Sequence, residues 1–269
     1  MELSAVLITY NAERYLLFTL RALQGVADEI IIVDSGSTDR TKEIAHTIEG
    51  IRWYERPFDG YGCQKNFANS LARGRYILSV DADEILSPEL QQSILREKGQ
   101  WQADAYRMLR IGIYCGAEIR SGDWYPDWKI RLFQRDIARW SEDPVHEKLL
   151  LPPTAKIYTL HGELWHYTYN TPEENLLRTS QYARLQAEAL YKAGRKPSWI
   201  RGFLRFSFRF IKSLFVKGGW RLGWRGVSIA FIGSMFYILR EIHLAYLLDR
   251  RKAHRPSIPL LHDAVSSKS

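Results

Sequence analysis

The sequence predicts an α/β protein with a mostly parallel central sheet, on three observations. Apolar runs recur without alternation between faces: "SAVLITY", "EIIIVD", "IRWYE" and "RYILSVD". Strands apolar on both sides belong to a sheet that is covered on both sides. Helical spacing or a helix-start signal follows most of these runs, and 269 residues, 46% of them hydrophobic, are enough to bury a large core.

The elements follow in order. After "SAVLITY", Asn11 is a cap, and Leu16, Leu20 and Leu23 recur at helical spacing. "EIIIVD" ends in Asp34, and "SGSTDRTKEIAHTI" then gives a glycine turn and a second helix, with Asp39 as a capping carboxylate. "IRWYE" is a third strand and "RYILSVD" a fourth. Ser87 and Pro88, as cap and first helical residue, start a helix that stops near Lys98 and Gly99. Residues 101–168 turn irregular and aromatic and read as loops and short mixed strands. Thr171, Pro172, Glu173 and Glu174 form a capping box, and the helix they open runs to Gly194. The expected division is an α/β domain over 1–194, a basic helical region over 195–250 and a loose tail over 251–269.

Composition narrows the class. Met1 and Glu2 lead directly into the first strand, with no basic segment and apolar core of a signal peptide, so a cytoplasmic location is expected. Cys63 and Cys115 are too few for a disulfide framework and are not spaced as zinc ligands. No G-x-G-x-x-G follows the first strand, which argues against a dinucleotide-dependent oxidoreductase. The formal charge of +8 is uneven: between Glu188 and Glu241 lie eleven lysines and arginines and no acid, leaving the rest of the chain at −3.

Ligands of open parallel sheets bind beyond the carboxyl ends of the strands, where Tyr10, Asn11, Asp34 and Asp81 fall. "YILSVDADEIL" places Asp81, Asp83 and Glu84 at such an end, where like charges repel unless a cation is present. A hard divalent ion, Mg²⁺ or Mn²⁺, with oxygen ligands answers that need and suits a diphosphate ligand. Asp-x-Asp is a short pattern, and helix caps or solvated loop acids produce it too.

The segments "LITYNAERYL", "EIIIVDSGSTDRT", "GCQKNFANSLARGRYILSVDADE", "RLFQR", "DPVHEKL" and "LWHYTYNTPEE", in this order, resemble the inverting glycosyltransferases of family 2, with the GT-A fold. Within that family they are similar to the lipopolysaccharide-core β-1,4-glucosyltransferases. The resemblance covers roughly residues 3–190. It implies a metal-dependent transfer of a hexose, glucose from UDP-glucose, to the inner core of lipopolysaccharide. Tyr10, Asn11 and Glu13 would lie beside the nucleotide, and Asp34 would bond uracil or ribose while also capping its turn. Gln64, Lys65 and Asn66 would line the donor pocket, although relatives often carry arginine where this chain has Lys65. Asp81 would bind ribose and, directly or through water, the metal; Asp83 is the principal metal ligand, and Glu84 a supporting or helix-start charge. Inversion needs a base on the acceptor side. "SEDPVHEKLL" offers Glu147, with Asp143 in reserve and His146 to orient the base or touch phosphate. His166 is the implied metal or diphosphate contact, preferred over His161 because it directly precedes "YTYNTPEE".

The basic region bears on partners. Arg201, Arg205, Arg209 and Lys212 stack on one helical face, and Phe203, Phe206, Phe210 and Leu214 form a stripe opposite. The run 226–239 is short of the roughly 20 residues a bilayer crossing needs. The expectation is therefore a helix lying in an anionic membrane surface, peripheral on the inner face, beside a lipid-linked saccharide acceptor. Nucleic acid would suit the charge, but no recognition module accompanies it. The alternatives are a transferase acting on another lipid-linked or peptide acceptor, and a non-catalytic membrane-surface protein.

Overall fold

A computed structural model describes residues 1–142 and 147–253. The chain divides into two compact units, one of Met1–Arg120 and Trp124–Asn170, the other of Ser121–Asp123 and the residues from Thr171 onward.

The first unit is α/β. Strands β1 (Leu3–Thr9), β2 (Glu29–Asp34), β3 (Ile51–Glu55) and β4 (Tyr76–Ser79) alternate with helices α1 (Leu16–Leu23), α2 (Thr41–His46) and α3 (Tyr61–Ser70). After β4 come β5 (Glu84–Leu86), α4 (Pro88–Glu97), β6 (Ala105–Tyr114), β7 (Ala117–Ile119), β8 (Asp127–Gln134), the short pair β9 (Arg139–Trp140) and β10 (Leu149–Leu150), and β11 (Ile157–Tyr169). The main sheet runs β3-β2-β1-β4-β8-β6-β11-β5, with β7 on β6. Its pairings β3-β2-β1-β4 are parallel, as the unalternated apolar runs require. Beyond β4 the sheet turns mixed: β8 is antiparallel to both β4 and β6, β5 is antiparallel to β11, and β11 is parallel to β6. "Mostly parallel" thus holds only for the N-terminal half of the sheet.

The same region corrects the expectation of loops and short strands over 101–168. Strands β6 and β11 have 10 and 13 residues. Their exposure pattern is irregular because bulges break the register twice between them. At one bulge Gly162 has φ 99°, and a Cβ there would lie 2.2 Å from the Leu90 nitrogen, so only glycine allows β11 to pass α4 this closely. Helix α3 carries no apolar stripe that periodicity could detect, since its buried face is Gly62, Gln64, Lys65, Ala68 and Asn69. Helix α4 begins as expected, with the Ser87 hydroxyl accepting from the Leu90 amide.

The second unit is helical: α5 (Pro172–Lys192), α6 (Trp199–Ile211), a π turn over Lys212–Val216, a 3₁₀ turn over Gly219–Leu222, and α7 (Trp224–Ala253). Thr171 caps α5 through the Glu174 amide. Helix α5 groups with the C-terminal helices in this unit, whereas the sequence reading placed it in the domain ending at 194. The tail expected over 251–269 lies almost wholly outside the described residues.

Two expectations about this unit change. Among the described residues α7 is long and apolar enough, by length and composition, to cross a membrane: Trp224–Arg250 is 27 residues at a mean hydropathy of 1.4. In the sequence the apolar run 226–239 ends at Arg240 and Glu241. Those two charges pair with each other at 2.5 Å, both buried, and the helix continues unbroken. The aromatic stripe also divides. Phe206 and Phe210 pack edge-on against Phe231 of α7, at 5.8 and 6.4 Å between ring centroids, and Leu214 is buried. The apolar residues of α6 and its π turn that stay exposed include Ile200, Leu204, Phe208, Ile211 and Phe215, at helical steps of four, four, three and four.

Candidate active site

The parallel strands end along one edge, with Thr9, Asp34 and Glu55 in register. Past that edge two loops are tied together. Asn11, at φ 49°, accepts from the Thr38 amide at 2.8 Å and donates its own amide to the Ser37 hydroxyl at 2.8 Å. Glu13 accepts from the Arg40 amide and donates its own amide to Asp39. Tyr10 is exposed beside them. Asp34 is buried and accepts from the Thr9 hydroxyl, the Gly36 and Ser37 amides and the Ser37 hydroxyl. Those donors fill the acceptor capacity of one carboxylate, so in this conformation Asp34 is a turn cap with no oxygen left for a base or ribose. Asp39 is a cap as well, accepting from the Thr41 amide at 3.0 Å.

The acidic cluster follows β4, and basic side chains from α3, β6 and β8 balance its charge. Arg131 of β8 places Nη2 2.5 Å from Asp81 Oδ2 and 2.6 Å from Glu84 Oε1. Arg110 of β6 reaches the same Glu84 oxygen at 2.9 Å and also pairs with Asp127. Lys65 of α3 lies 3.2 Å from Asp81 Oδ1. Burial alone would raise the pKa of Asp81 and Glu84; Arg131, helped by Lys65 at Asp81 and Arg110 at Glu84, holds both well below the ordinary range. Glu84 is fully buried between two arginines, so it is an internal structural charge rather than a helix-start residue.

Asp83 differs from its neighbours. Among the described residues no lysine or arginine lies within ion-pair distance of its carboxylate, and the side chain is 43% exposed. Partial burial raises its pKa to about 7, with Asp81 and Glu84 adding repulsion. The pairing of β11 with β5 sets His166 opposite Glu84, and His166 Nε2 comes 3.7 Å from Asp83 Oδ2. Burial, reinforced by Arg110, lowers the imidazole to about 4, so it is neutral at physiological pH with a lone pair to donate. Its Nδ1 lies 3.1 Å from the Thr168 hydroxyl, which fixes the ring. The competing His161 sits elsewhere on β11, where its amide meets Ser93 of α4.

Lys65 joins the acidic cluster to the acceptor-side residue. Its Nζ is 3.3 Å from Glu147 Oε1 and 4.6 Å from the ring centroid of Trp140. Asn66 exchanges two hydrogen bonds of 2.9 Å with the Trp140 main chain, so its role here is to anchor β9. Gln64 is buried and donates to the Ser35 hydroxyl and the Arg56 carbonyl, and among the described residues its Oε1 has no hydrogen-bond partner. Asp143 and His146 lie outside the described residues.

A family model described as glycosyl transferase family 2 matches residues 4–146, more than half of the chain. The chain belongs to glycosyl transferase family 2. An uncharacterized glycosyltransferase of Rickettsia bellii is 31% identical over 259 residues, covering 92% of this chain and 86% of the relative. The lipopolysaccharide core biosynthesis glycosyltransferase LpsC of Rhizobium meliloti is 28% identical over 277 residues, covering 99% of this chain and 98% of the relative. Among solved structures, S. aureus TarS 1–349 in complex with UDP aligns over 95% of this chain and 92% of its own, at 16% identity and a TM-score of 0.47.

For this glycosyltransferase the residues present fit a divalent ion at one point. Among the described residues no three His, Cys, Asp or Glu side chains converge on a metal position. Asp83 and His166, one carboxylate oxygen and one neutral nitrogen with no lysine or arginine within ion-pair distance of the carboxylate among the described residues, offer two ligands. Two protein ligands suffice for an ion that takes its remaining ligands from water and phosphate. Asp81 is engaged by Lys65 and Arg131 on both of its oxygens. The glycosyltransferase's buried Arg131 and half-buried Arg110 carry no role in the sequence motifs, although Arg131 stands in the "RLFQR" segment that carried the resemblance. The signal was available: a charged residue inside an apolar strand, in a chain with buried acids that need a partner.

Proposed function

We propose that this protein is a metal-dependent inverting hexosyltransferase that moves a sugar, glucose from UDP-glucose, to a saccharide of the lipopolysaccharide core. The observation that carries the reading is the inequality within the acidic cluster. Arg131, with Arg110 and Lys65, neutralises two of the three acids, and among the described residues Asp83 has no lysine or arginine within ion-pair distance and a neutral imidazole 3.7 Å away. A carboxylate kept without a cation at the carboxyl edge of a parallel sheet is a place for a metal.

The protein groups divide the work. Asp83 and His166 would hold the divalent ion, which when bound would supply charge neutralisation for the departing diphosphate. Glu147 takes the proton of the acceptor hydroxyl as that oxygen attacks the anomeric carbon from the face opposite the diphosphate; the new glycosidic bond forms as the bond to the diphosphate oxygen breaks. Lys65 touches both Asp81 and Glu147, so it fixes the base relative to the donor side of the site. The tied loops of Asn11 and Glu13, with exposed Tyr10, form the nucleotide end.

The acceptor reading draws on the LpsC relative and on the second unit. Exposed Ile200, Leu204, Phe208 and Phe215 run beside exposed Arg201, Arg205 and Lys212, the composition of a helix lying in an anionic lipid surface. That composition supports a reading in which the enzyme works on the inner face of the cytoplasmic membrane, next to a lipid-linked acceptor.

The test is Asp83→Ala assayed for metal-dependent hydrolysis of a panel of nucleotide sugars. Loss of turnover, with UDP-glucose the best donor for the unaltered protein, supports the reading; normal turnover by the variant sinks it. A deletion strain whose lipopolysaccharide keeps its full mass would refute the acceptor.

A further inference from the structure

The second unit contains a cavity of about 240 Å³ that the transfer reaction does not use. Its walls come from α5, α6, α7 and the loop joining α5 to α6. Arg195, Lys196, Arg201, Arg205 and Arg240 line it against a single carboxylate, Glu241. That carboxylate is already committed. Glu241 Oε1 accepts from Arg240 Nε and Nη2, and Oε2 accepts from the Ser198 amide at 2.8 Å. Arg240 also donates to Gln186 at 3.1 Å. The floor of the cavity is therefore a satisfied, buried, neutral pair.

The four remaining cations have no such partner. Among the described residues none of Arg195, Lys196, Arg201 and Arg205 makes an ion pair with a carboxylate, and the sequence holds no acid between Glu188 and Glu241 to provide one. Arg201 and Arg205 are four residues apart on α6 and so share a face, a like-charge arrangement that costs stability unless an anion joins them. Helix α6 approaches α7 closely at Gly202, where a Cβ would lie 2.9 Å from Glu241 Cγ. The approach brings the α6 arginines over the Arg240–Glu241 floor.

Size and surroundings select the ligand. The cavity is smaller than the roughly 300–1,000 Å³ of sites that enclose drug-sized molecules, so it suits a phosphate group rather than a nucleotide or an oligosaccharide. Guanidinium groups bind the oxygens of a phosphate bidentately, and a terminal monoester presents more of those oxygens than a diester does. The exposed apolar stripe of Ile200, Leu204 and Phe208 lies one residue, about 100° of helical turn, from Arg201 and Arg205. A molecule with its phosphate in the cavity could lay hydrocarbon along that stripe.

We infer that this cavity is a phosphomonoester site for a membrane lipid, seating the headgroup between Arg195, Lys196, Arg201 and Arg205 while the acyl chains follow the α6 stripe. This deepens the membrane-surface reading given above and rests on it.

The test uses the full chain and phosphatidylcholine vesicles doped with either phosphatidic acid, a monoester, or phosphatidylglycerol, a diester, at matched surface charge. The expected result is about tenfold tighter binding to phosphatidic acid, the effect of one added charge-assisted hydrogen bond. The double variant R201Q/R205Q should lose that preference while its circular dichroism and its UDP-sugar hydrolysis stay unchanged. K212Q/R221Q, which removes equal charge outside the cavity, should keep it. Equal binding to the two lipids, or equal losses in the two double variants, would overturn the site in favour of diffuse surface charge. Calorimetry with inorganic pyrophosphate separates the sources of phosphate: saturable binding that erases the lipid preference would replace the lipid with a soluble phosphate. Failure to bind any vesicle would refute the membrane reading itself, and pyrophosphate then decides the cavity. Binding that R201Q/R205Q abolishes would make it a soluble-phosphate site, and no binding, or binding unchanged in that variant, would remove the site altogether.

Discussion

Replacing Arg131 with methionine tests how the acidic cluster is held together. The side chain is buried, and its Nη2 is shared between Asp81 at 2.5 Å and Glu84 at 2.6 Å. Removing one partner from a buried ion network costs about 3–5 kcal/mol, because the remaining charges stay desolvated. Here Arg110 still reaches Glu84 and Lys65 still reaches Asp81, so the expected loss is at the low end, about 3 kcal/mol. In a chain of this size that lowers the melting temperature by roughly 6–12 °C. The pH dependence gives the sign. Both carboxylates have folded pKa values below their ordinary 3.8 and 4.5, so the stability they contribute is present above that range and is lost as pH falls through the folded values. The variant lacks most of this contribution, so its deficit should be full at pH 7 and shrink as pH drops below about 4. Urea denaturation at several pH values reads both effects. R131M/E84Q should lose less than R131M alone, since the second change removes one stranded charge. A deficit under about 1 kcal/mol at neutral pH, or one that does not shrink in acid, would refute the assignment of Arg131 as the neutralising charge.

Other perturbations address the chemistry directly. Partial burial, with repulsion from Asp81 and Glu84, pushes the Asp83 carboxyl up to about 7, so a metal must displace its proton below that pH; Mn²⁺ affinity should rise by up to about tenfold per pH unit between about 5 and 7 and level off above, and a flat calorimetric profile would count against Asp83 as a ligand. Glu147→Gln should lower kcat by about 10²- to 10⁴-fold with the KM for UDP-sugar unchanged, and full activity would move the base elsewhere. Gly62→Ala would put a methyl group 1.9 Å from the Ser141 carbonyl, forcing α3 away from the end of β9; about 1–3 kcal/mol of destabilisation is expected by thermal denaturation, and an unchanged midpoint would contradict the packing.

The sequence by itself determined the parallel half of the sheet, the caps at Ser87 and Thr171, and the presence of an acidic cluster at a strand end. These features are local: a strand buried on both faces is apolar throughout, and a capping side chain bonds its own next turn. The candidate-site residues named from the family motifs were legible as residue types in order, and Asp81, Asp83 and His166 do come together in space. What neutralises the cluster was decided only by tertiary structure. Arg131 arrives from β8, Arg110 from β6 and Lys65 from α3, each through strand pairing or helix packing far along the chain. The family motifs implied a metal at Asp81 and Asp83; the fold instead engages Asp81 and Glu84 with Arg131, Arg110 and Lys65, and among the described residues Asp83 has no lysine or arginine within ion-pair distance. The same holds for α6, where periodicity gave a basic face and aromatic residues but could not say which aromatics α7 would cover. Phe206 and Phe210 turn inward because Phe231 meets them, while Ile200, Leu204 and Phe208 stay outside. Periodicity fixes how residues are spaced around a helix, and only packing against a neighbour decides which side faces water or lipid.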